Sequence, residues 1–278
     1  MSRVELIAEV SSNHGGDLSL AKEFIWRFAE AGATFVKFQH TRVKHLQPDD
    51  PQYDWFKQAE FSVERFAELK VVCEQAGTKF LTTVYHAADV PEVASLGLEA
   101  IKIGSGEANE EGLASAVLDR LGSAQFQRVF IATGVTDMWQ SAMWQLATQH
   151  RPIHPGIHGA CFMGCVTRYP APTGLAAVKF QARRGWATTG PECSMTGWSD
   201  HAAGLSECCV AIEMGASVIE KHVCLPNQAR PMQSWEADVE QFHALRKFAD
   251  EDPQRFIGRW QHAEGGGEED GANHRTDR

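Results

Sequence analysis

The sequence predicts a (β/α)8 barrel, and three observations carry that reading. Short apolar runs of strand type alternate with longer segments of helical spacing along the chain. Each of eight such runs is followed by a helical segment, which demands parallel strands and, within 278 residues, favours a closed barrel over an open sheet. Ionisable residues gather at the C-terminal ends of the runs, where the side chains of a barrel converge on one mouth.

The elements follow in order. VELIAEV (4–10) reads as the first strand, and a helix from Leu18 to Ala31 carries Leu18, Ala21, Phe24, Ile25 and Phe28 on one face. TFVKFQ (34–39) is the second strand, with a core helix from Val63 to Ala76; KFLTTV (79–84) is the third, with a short helix from Ala88 to Leu96. AIKIGS (100–105), RVFIATG (128–134), GACFMGCV (159–166), MTGWSD (195–200) and SVIEKHV (217–223) complete the set. Gly32, Gly77, Gly97 and Gly215 fall at helix ends, where a left-handed cap is needed. The stretch 40–61 is too long for an ordinary βα loop and is expected to cover a site. From His262 onward apolar residues are lacking, so 1–260 is expected to form one catalytic barrel and 261–278 a polar, disordered tail.

Composition excludes several functions. Hydrophobic residues at 43% and charged residues at 22% are ordinary for a globular protein. A net charge of −10 supplies no global attraction for nucleic acid or anionic lipid, although a buried pocket can still carry local positive charge. The seven cysteines are odd in number and form no CxxC pair, which reads as reduced thiols in a cytoplasmic protein. The chain enters a strand pattern at once, without a secretory signal, and no run approaches the roughly 18 apolar residues of a membrane span. GSGEANEEG lacks the spacing of a dinucleotide fingerprint.

The strand ends are more specific. Lys37 in VKFQ and Lys102 in IKIGSGE sit on different strands among apolar neighbours, and together they suggest an anion pocket. Lysine ammoniums, serine and threonine hydroxyls and a glycine-bounded turn together suit a phosphate or carboxylate. His201 follows the seventh strand and His222 ends the eighth, so the two imidazoles can share one divalent ion: Mn²⁺, Zn²⁺, Fe²⁺ or Mg²⁺. Glu107 and Glu220 are placed to orient metal-bound water. Three consecutive ionisable residues, Glu220, Lys221 and His222, at the end of a core strand require partners.

In order along the chain, IAEVSSNHGGDLSLAK, AGATFVKFQ, IKIGSGEANE, IATG, CVTRYPAP, GWSDHAAG and IEKHV resemble blocks of the sialic acid synthases, which join phosphoenolpyruvate to an N-acetylated sugar aldehyde. The resemblance implies that Lys37, Thr83, Lys102, Ser105 and Ser199 hold the phosphate and carboxylate of phosphoenolpyruvate. It implies that His201 and His222 ligate Mn²⁺ or Mg²⁺, that Glu9 orients or deprotonates the attacking water, and that Glu107 and Glu220 hold metal-bound water and the acceptor hydroxyl. Asn13, Gln39, Thr167, Arg168 and Tyr169 fall on the acceptor side. Family dimers rely partly on a C-terminal antifreeze-like domain; this reading expects a barrel without it, so that any homodimer uses barrel surfaces.

The chain also departs from the family pattern. Ala132 stands where a serine precedes Thr-Gly, Thr167 and Arg168 occupy an altered stretch before Tyr169-Pro170, and Gln233 lies near the place of an aspartate that grips the sugar tail. The phosphoenolpyruvate and metal half is thus kept and the sugar-reading half altered, which predicts an acceptor other than N-acetylmannosamine. A metal-dependent lyase of keto acids that does not use phosphoenolpyruvate, and a catalytically silent ligand-binding barrel, are the competing readings.

Overall fold

A strand enclosed by helices is buried on both faces, so its period-two alternation distinguishes two interiors rather than core from solvent. The computed structural model describes residues 3–121, 123, 125–137, 140–148, 159–176 and 195–251. Within them β1 (Glu5–Ser11), β2 (Phe35–His40), β3 (Lys79–Val84), β4 (Ala100–Ile103), β5 (Arg128–Ala132), β6 (Ala160–Cys165), β7 (Met195–Asp200) and β8 (Val218–His222) close into a parallel barrel in sequence order. Ile7, Phe35, Leu81, Phe130, Met163 and Val218 fill the barrel axis. Their neighbours Leu6, Val36, Phe80, Ile101 and Ile219 face outward into a second core shared with the helices.

The inward positions change character along each strand. Ile7 is followed on the same face by Glu9, Phe35 by Lys37 and Gln39, Leu81 by Thr83, Ala100 by Lys102, and Val218 by Glu220 and His222. The lower barrel is thus plugged with apolar side chains, and the polar layer opens at the C-terminal mouth.

The same parity answers the question of β8. Glu220 and His222 point inward, whereas Lys221 points out into the helix layer and is 1% exposed. Its Nζ donates to Asp200 Oδ2 on β7 at 2.6 Å and to the Ala202 carbonyl at 2.5 Å. The register sets Asp200 beside Lys221, so a buried charge meets its partner on the adjacent strand.

The helices answer to the same logic. Leu18–Glu30 buries Leu20, Ala21, Phe24, Ile25 and Phe28, and Asp17 caps it by accepting from the Ser19 and Leu20 amides. Val63–Gln75 forms as predicted, while the segment expected at 88–96 divides into a 3-10 turn, Ala87–Asp89, and a short helix, Val90–Ala94, with Pro91 in its first turn. Glu111–Leu118, Ala142–Thr148, Ser206–Glu213 and Val239–Asp250 follow. The glycines predicted at helix ends, Gly32, Gly77, Gly97 and Gly215, take φ of +95°, +75°, +57° and +97°. The predicted boundary at 260 and the polar tail lie outside the described residues.

The 40–61 stretch contains a 3-10 turn, Val43–His45, and a helix, Tyr53–Ala59. It docks on the turn after β1: Trp55 Nε1 donates to Ser12 Oγ at 2.9 Å, Gln58 Nε2 donates to the Gly15 carbonyl at 3.1 Å, and Phe61 stacks on His14 with ring centroids 4.3 Å apart. Gly16 permits this approach, since a Cβ there would lie 2.1 Å from the Gln58 carbonyl oxygen and its φ is +85°. On its other side Lys44 and His45 reach the buried carboxylate of Asp89, at 2.8 and 2.9 Å. The expectation that this stretch covers a site is corrected: its polar and aromatic groups are committed to the rim, and none of its residues lines the cavity described below. Among the described residues no helix is long and apolar enough to cross a membrane.

Candidate active site

A cavity of about 250 Å³ opens at the C-terminal mouth. It gathers nearly every residue nominated from the sequence: Glu9 from β1, Lys37 and Gln39 from β2, Thr83 from β3, Lys102 from β4, with Ser105 and Glu107 just beyond it. Thr167 and Tyr169 follow β6, Ser199 and His201 come from the end of β7, and Glu220 and His222 from β8. Two nominated residues stand outside. Asn13 is wholly buried behind the mouth, donating to the Val223 carbonyl and to Glu236, each at 2.9 Å, and accepting from Arg230 Nε at 2.6 Å. Its amide ties the turn after β1 to the segment after β8. Arg168 is exposed and does not line the cavity. Both were expected on the acceptor side, and neither lines this cavity.

At the floor, ammonium and carboxylate groups interlock. Lys37 Nζ donates to Thr83 Oγ1 at 2.9 Å and lies 3.2 Å from Glu9 and 3.3 Å from Glu220. Lys102 contacts Glu220 directly and lies 3.4 Å from Ser199 Oγ, which in turn donates to Glu220 at 3.3 Å. All four charged side chains are at most 4% exposed. Burial pushes the Glu9 carboxyl up, to about 7; Lys37 opposes that rise and the charge of Glu220 adds to it. Burial also acts to raise Glu220, but Lys102 and Lys37 outweigh it and hold that carboxyl well below its usual range. One carboxylate therefore stays ionised between two ammoniums, while the other titrates near neutrality and leaves the floor with local positive charge.

The upper wall is shaped by backbone. Ser105 Oγ accepts from the Gly134 and Val135 amides at 2.8 and 3.0 Å, which leaves its own hydrogen free to donate. Gly104 lets the Glu107 carboxylate lie against the main chain, since a Cβ there would sit 2.4 Å from Glu107 Oε2. Burial raises the Glu107 carboxyl as well.

His201 and His222 face each other with ring centroids 5.4 Å apart. His201 Nδ1 donates to the Val166 carbonyl at 2.7 Å, since a carbonyl can only accept, and its Nε2 accepts from the Tyr169 hydroxyl at 3.0 Å. Among the described residues, His222 Nδ1 is buried without a hydrogen-bond partner. Burial lowers both imidazoles, His201 to about 4 and His222 well below its ordinary value, so both are neutral, the form that ligates a cation. An orphaned ring nitrogen beside a second neutral imidazole fits a divalent cation with two protein ligands. Among the described residues no cluster of three or more metal-ligating side chains occurs, so further ligands would come from water or substrate.

Two wall residues and one neighbour behind them escaped the sequence reading. Tyr85 and Cys165 line the cavity, and Trp235, outside that lining, packs edge-on to Tyr169 at 5.6 Å. Tyr85 continues the inward parity of Leu81 and Thr83 one step past the strand, and Cys165 continues that of Cys161 and Met163, so both were within reach of a period-two count. Trp235 carried no such signal, because its position depends on the path of the segment after β8.

An eight-stranded parallel barrel with two buried lysines on its floor and paired imidazoles at its rim falls in the class of TIM-barrel enzymes. Within it this chain belongs to the NeuB family, whose model matches residues 24–249. It is 27% identical to the N,N'-diacetyllegionaminic acid synthase of Campylobacter jejuni, over 81% of this chain and 69% of that one. It is 26% identical to human N-acetylneuraminate-9-phosphate synthase, over 79% of this chain and 62% of that protein. The crystal structure of N-acetylneuraminic acid synthetase from Leptospira borgpetersenii shares the fold, with a TM-score of 0.74 at 23% identity, covering 99% of this chain and 88% of that one.

Proposed function

We propose that this barrel condenses phosphoenolpyruvate with a sugar-like aldehyde to give an α-keto acid and inorganic phosphate, assisted by a divalent cation at His201 and His222. The observation that carries the reading is the meeting of two buried lysines and two neutral imidazoles in one cavity. Relatives named as synthases of legionaminic and N-acetylneuraminic acids support it.

Lys37 and Lys102, with the hydroxyls of Thr83, Ser105 and Ser199, hold the phosphate and carboxylate of phosphoenolpyruvate at the floor. When bound, Mn²⁺ or Mg²⁺ polarises the acceptor's carbonyl oxygen. C3 of the enol phosphate then bonds to the aldehyde carbon, whose oxygen takes up a proton from solvent to become a hydroxyl; water adds at C2, and the C2–O bond to phosphate breaks as the added oxygen becomes the keto group. Glu9, reached by Gln39 Nε2 at 3.2 Å, orients that water and takes its proton. Glu220 keeps both ammoniums in register, and Glu107 holds the acceptor hydroxyl.

The acceptor differs from N-acetylmannosamine in this proposal. Gln233, near the place of the sugar-gripping aspartate, donates its amide to the Pro231 carbonyl at 2.8 Å, within its own segment. A polyhydroxylated tail left without its partner loses about 1–3 kcal/mol per unpaired group. Phosphate release should be measured with phosphoenolpyruvate, Mn²⁺ and an aldehyde panel that includes N-acetylmannosamine. Aldehyde-dependent release that EDTA abolishes is expected, fastest with another aldehyde. Product formation without phosphate release would return the site to keto-acid lyase chemistry, and fastest turnover of N-acetylmannosamine would reject the altered acceptor.

A further inference from the structure

We propose that the Tyr169 hydroxyl is a latch on His201 Nε2 that competes with a cation for the imidazole lone pair; this rests on the reading that His201 and His222 hold a divalent ion. The Val166 carbonyl fixes the tautomer of His201 by accepting from Nδ1 at 2.7 Å, so Nε2 is the ring's only coordinating nitrogen. That nitrogen accepts from Tyr169 at 3.0 Å. A single lone pair serves a hydrogen or a cation, not both, so coordination by His201 requires this bond to open.

The surroundings of Tyr169 suit a movable part. Its ring lies on His201 with centroids 4.1 Å apart and meets His222 and Trp235 edge-on, at 5.8 and 5.6 Å. Yet the residue is 49% exposed, whereas His201 and His222 are 6% and 8% exposed. The imidazoles are fixed by strands and backbone, so the exposed phenol is the group free to swing. Its hydroxyl then becomes available on the acceptor side of the cavity at the moment the cation arrives, which couples metal loading to the shape of the acceptor site.

The test is Mn²⁺ affinity by titration calorimetry on the whole chain. Tyr169→Phe keeps the ring and its packing but removes the hydroxyl, so it should bind Mn²⁺ about three- to tenfold more tightly than wild type, the range of one neutral hydrogen bond. Tyr169→Leu, which also lacks the hydroxyl, should shift in the same direction. In a His201→Ala background the Tyr169→Phe change should have no effect, because the lone pair in contest is gone. Unchanged or weaker affinity in Tyr169→Phe, with His201-dependent binding intact, overturns the latch and leaves the metal reading standing. A gain that persists without His201 also overturns the latch. Absence of binding in both wild type and Tyr169→Phe overturns latch and metal reading together.

Discussion

Glu9 and Glu220 share one lysine and divide their protons unequally. Lys37 lies 3.2 Å from one and 3.3 Å from the other, but only Glu220 also contacts Lys102. The second ammonium decides the outcome: Glu220 is held ionised, and Glu9 is pushed up to about 7 by burial. A general base with that value gains its active form as pH rises through neutrality. In the proposed condensation, kcat/KM for phosphoenolpyruvate, which reports the groups of the free enzyme, should therefore climb from about pH 6 to about pH 8. Glu9→Gln should lower turnover by about 10²–10⁴-fold and abolish that limb, a loss typical of a missing general base. A Glu9→Gln enzyme that keeps the same pH profile would assign the limb to another group. Lys102→Met should act differently, raising the KM for phosphoenolpyruvate, because it removes one of the two floor ammoniums and leaves Glu220 to neutralise Lys37.

At the scale of the element, β8 shows how a strand reads two interiors at once. Its inward residues Glu220 and His222 serve the cavity, and its outward Lys221 closes a buried ion pair with Asp200, to which Cys208 Sγ also donates at 3.3 Å. Removing one member of such a pair strands the other without water. Lys221→Ala should thus cost about 3–5 kcal/mol in urea unfolding, whereas Lys221→Met combined with Asp200→Asn should recover much of that loss. An equal loss in both variants would place the cost in packing rather than in uncompensated charge. The inward and outward assignment was legible in VIEKHV by counting in twos. The partner of Lys221 was not, since it depends on the register of β8 against β7. The 40–61 stretch was opaque for a related reason: its contacts, Trp55 to Ser12 and Phe61 to His14, join segments far apart in sequence.

Across the whole molecule, the barrel and most of its site were legible because function places ionisable residues where a packed strand would be apolar, and Lys37, Lys102 and Glu220 stand out on that account. Asn13 misled because buried polar groups also hold loops together, and a motif cannot say which task its amide performs. Burial of titratable groups has a global consequence as well. His14 and His201 are both lowered to about 4, with burial the leading cause, and burial lowers His222 as well. The unfolded chain binds protons at these sites from about pH 6.5 downward and the native chain does not, so their stabilisation is full above that value and is lost as pH falls toward 4. His14 and His201 each contribute a slope of about 1.4 kcal/mol per pH unit within that window, and His222 acts in the same direction. Glu9 has the opposite sign: its native carboxyl keeps a proton between its ordinary 4.5 and about 7, so its share of stability declines as pH rises over that interval. His40 and His86 are lowered as well and Glu107 is raised like Glu9, so five lowered histidines against two raised carboxyls leave a net fall in stability on acidification. Urea midpoints measured in EDTA, which keeps cations from holding the imidazoles neutral, should therefore drop steadily from pH 7 to pH 5. His14→Gln retains an acceptor for the Gly16 amide, which meets His14 Nδ1 at 3.1 Å, but carries no titrating proton. It should flatten the slope by about 1.4 kcal/mol per pH unit whatever its effect on stability at neutral pH. An unchanged slope in that variant would mean that His14 takes up its proton in the native state as readily as in the unfolded chain.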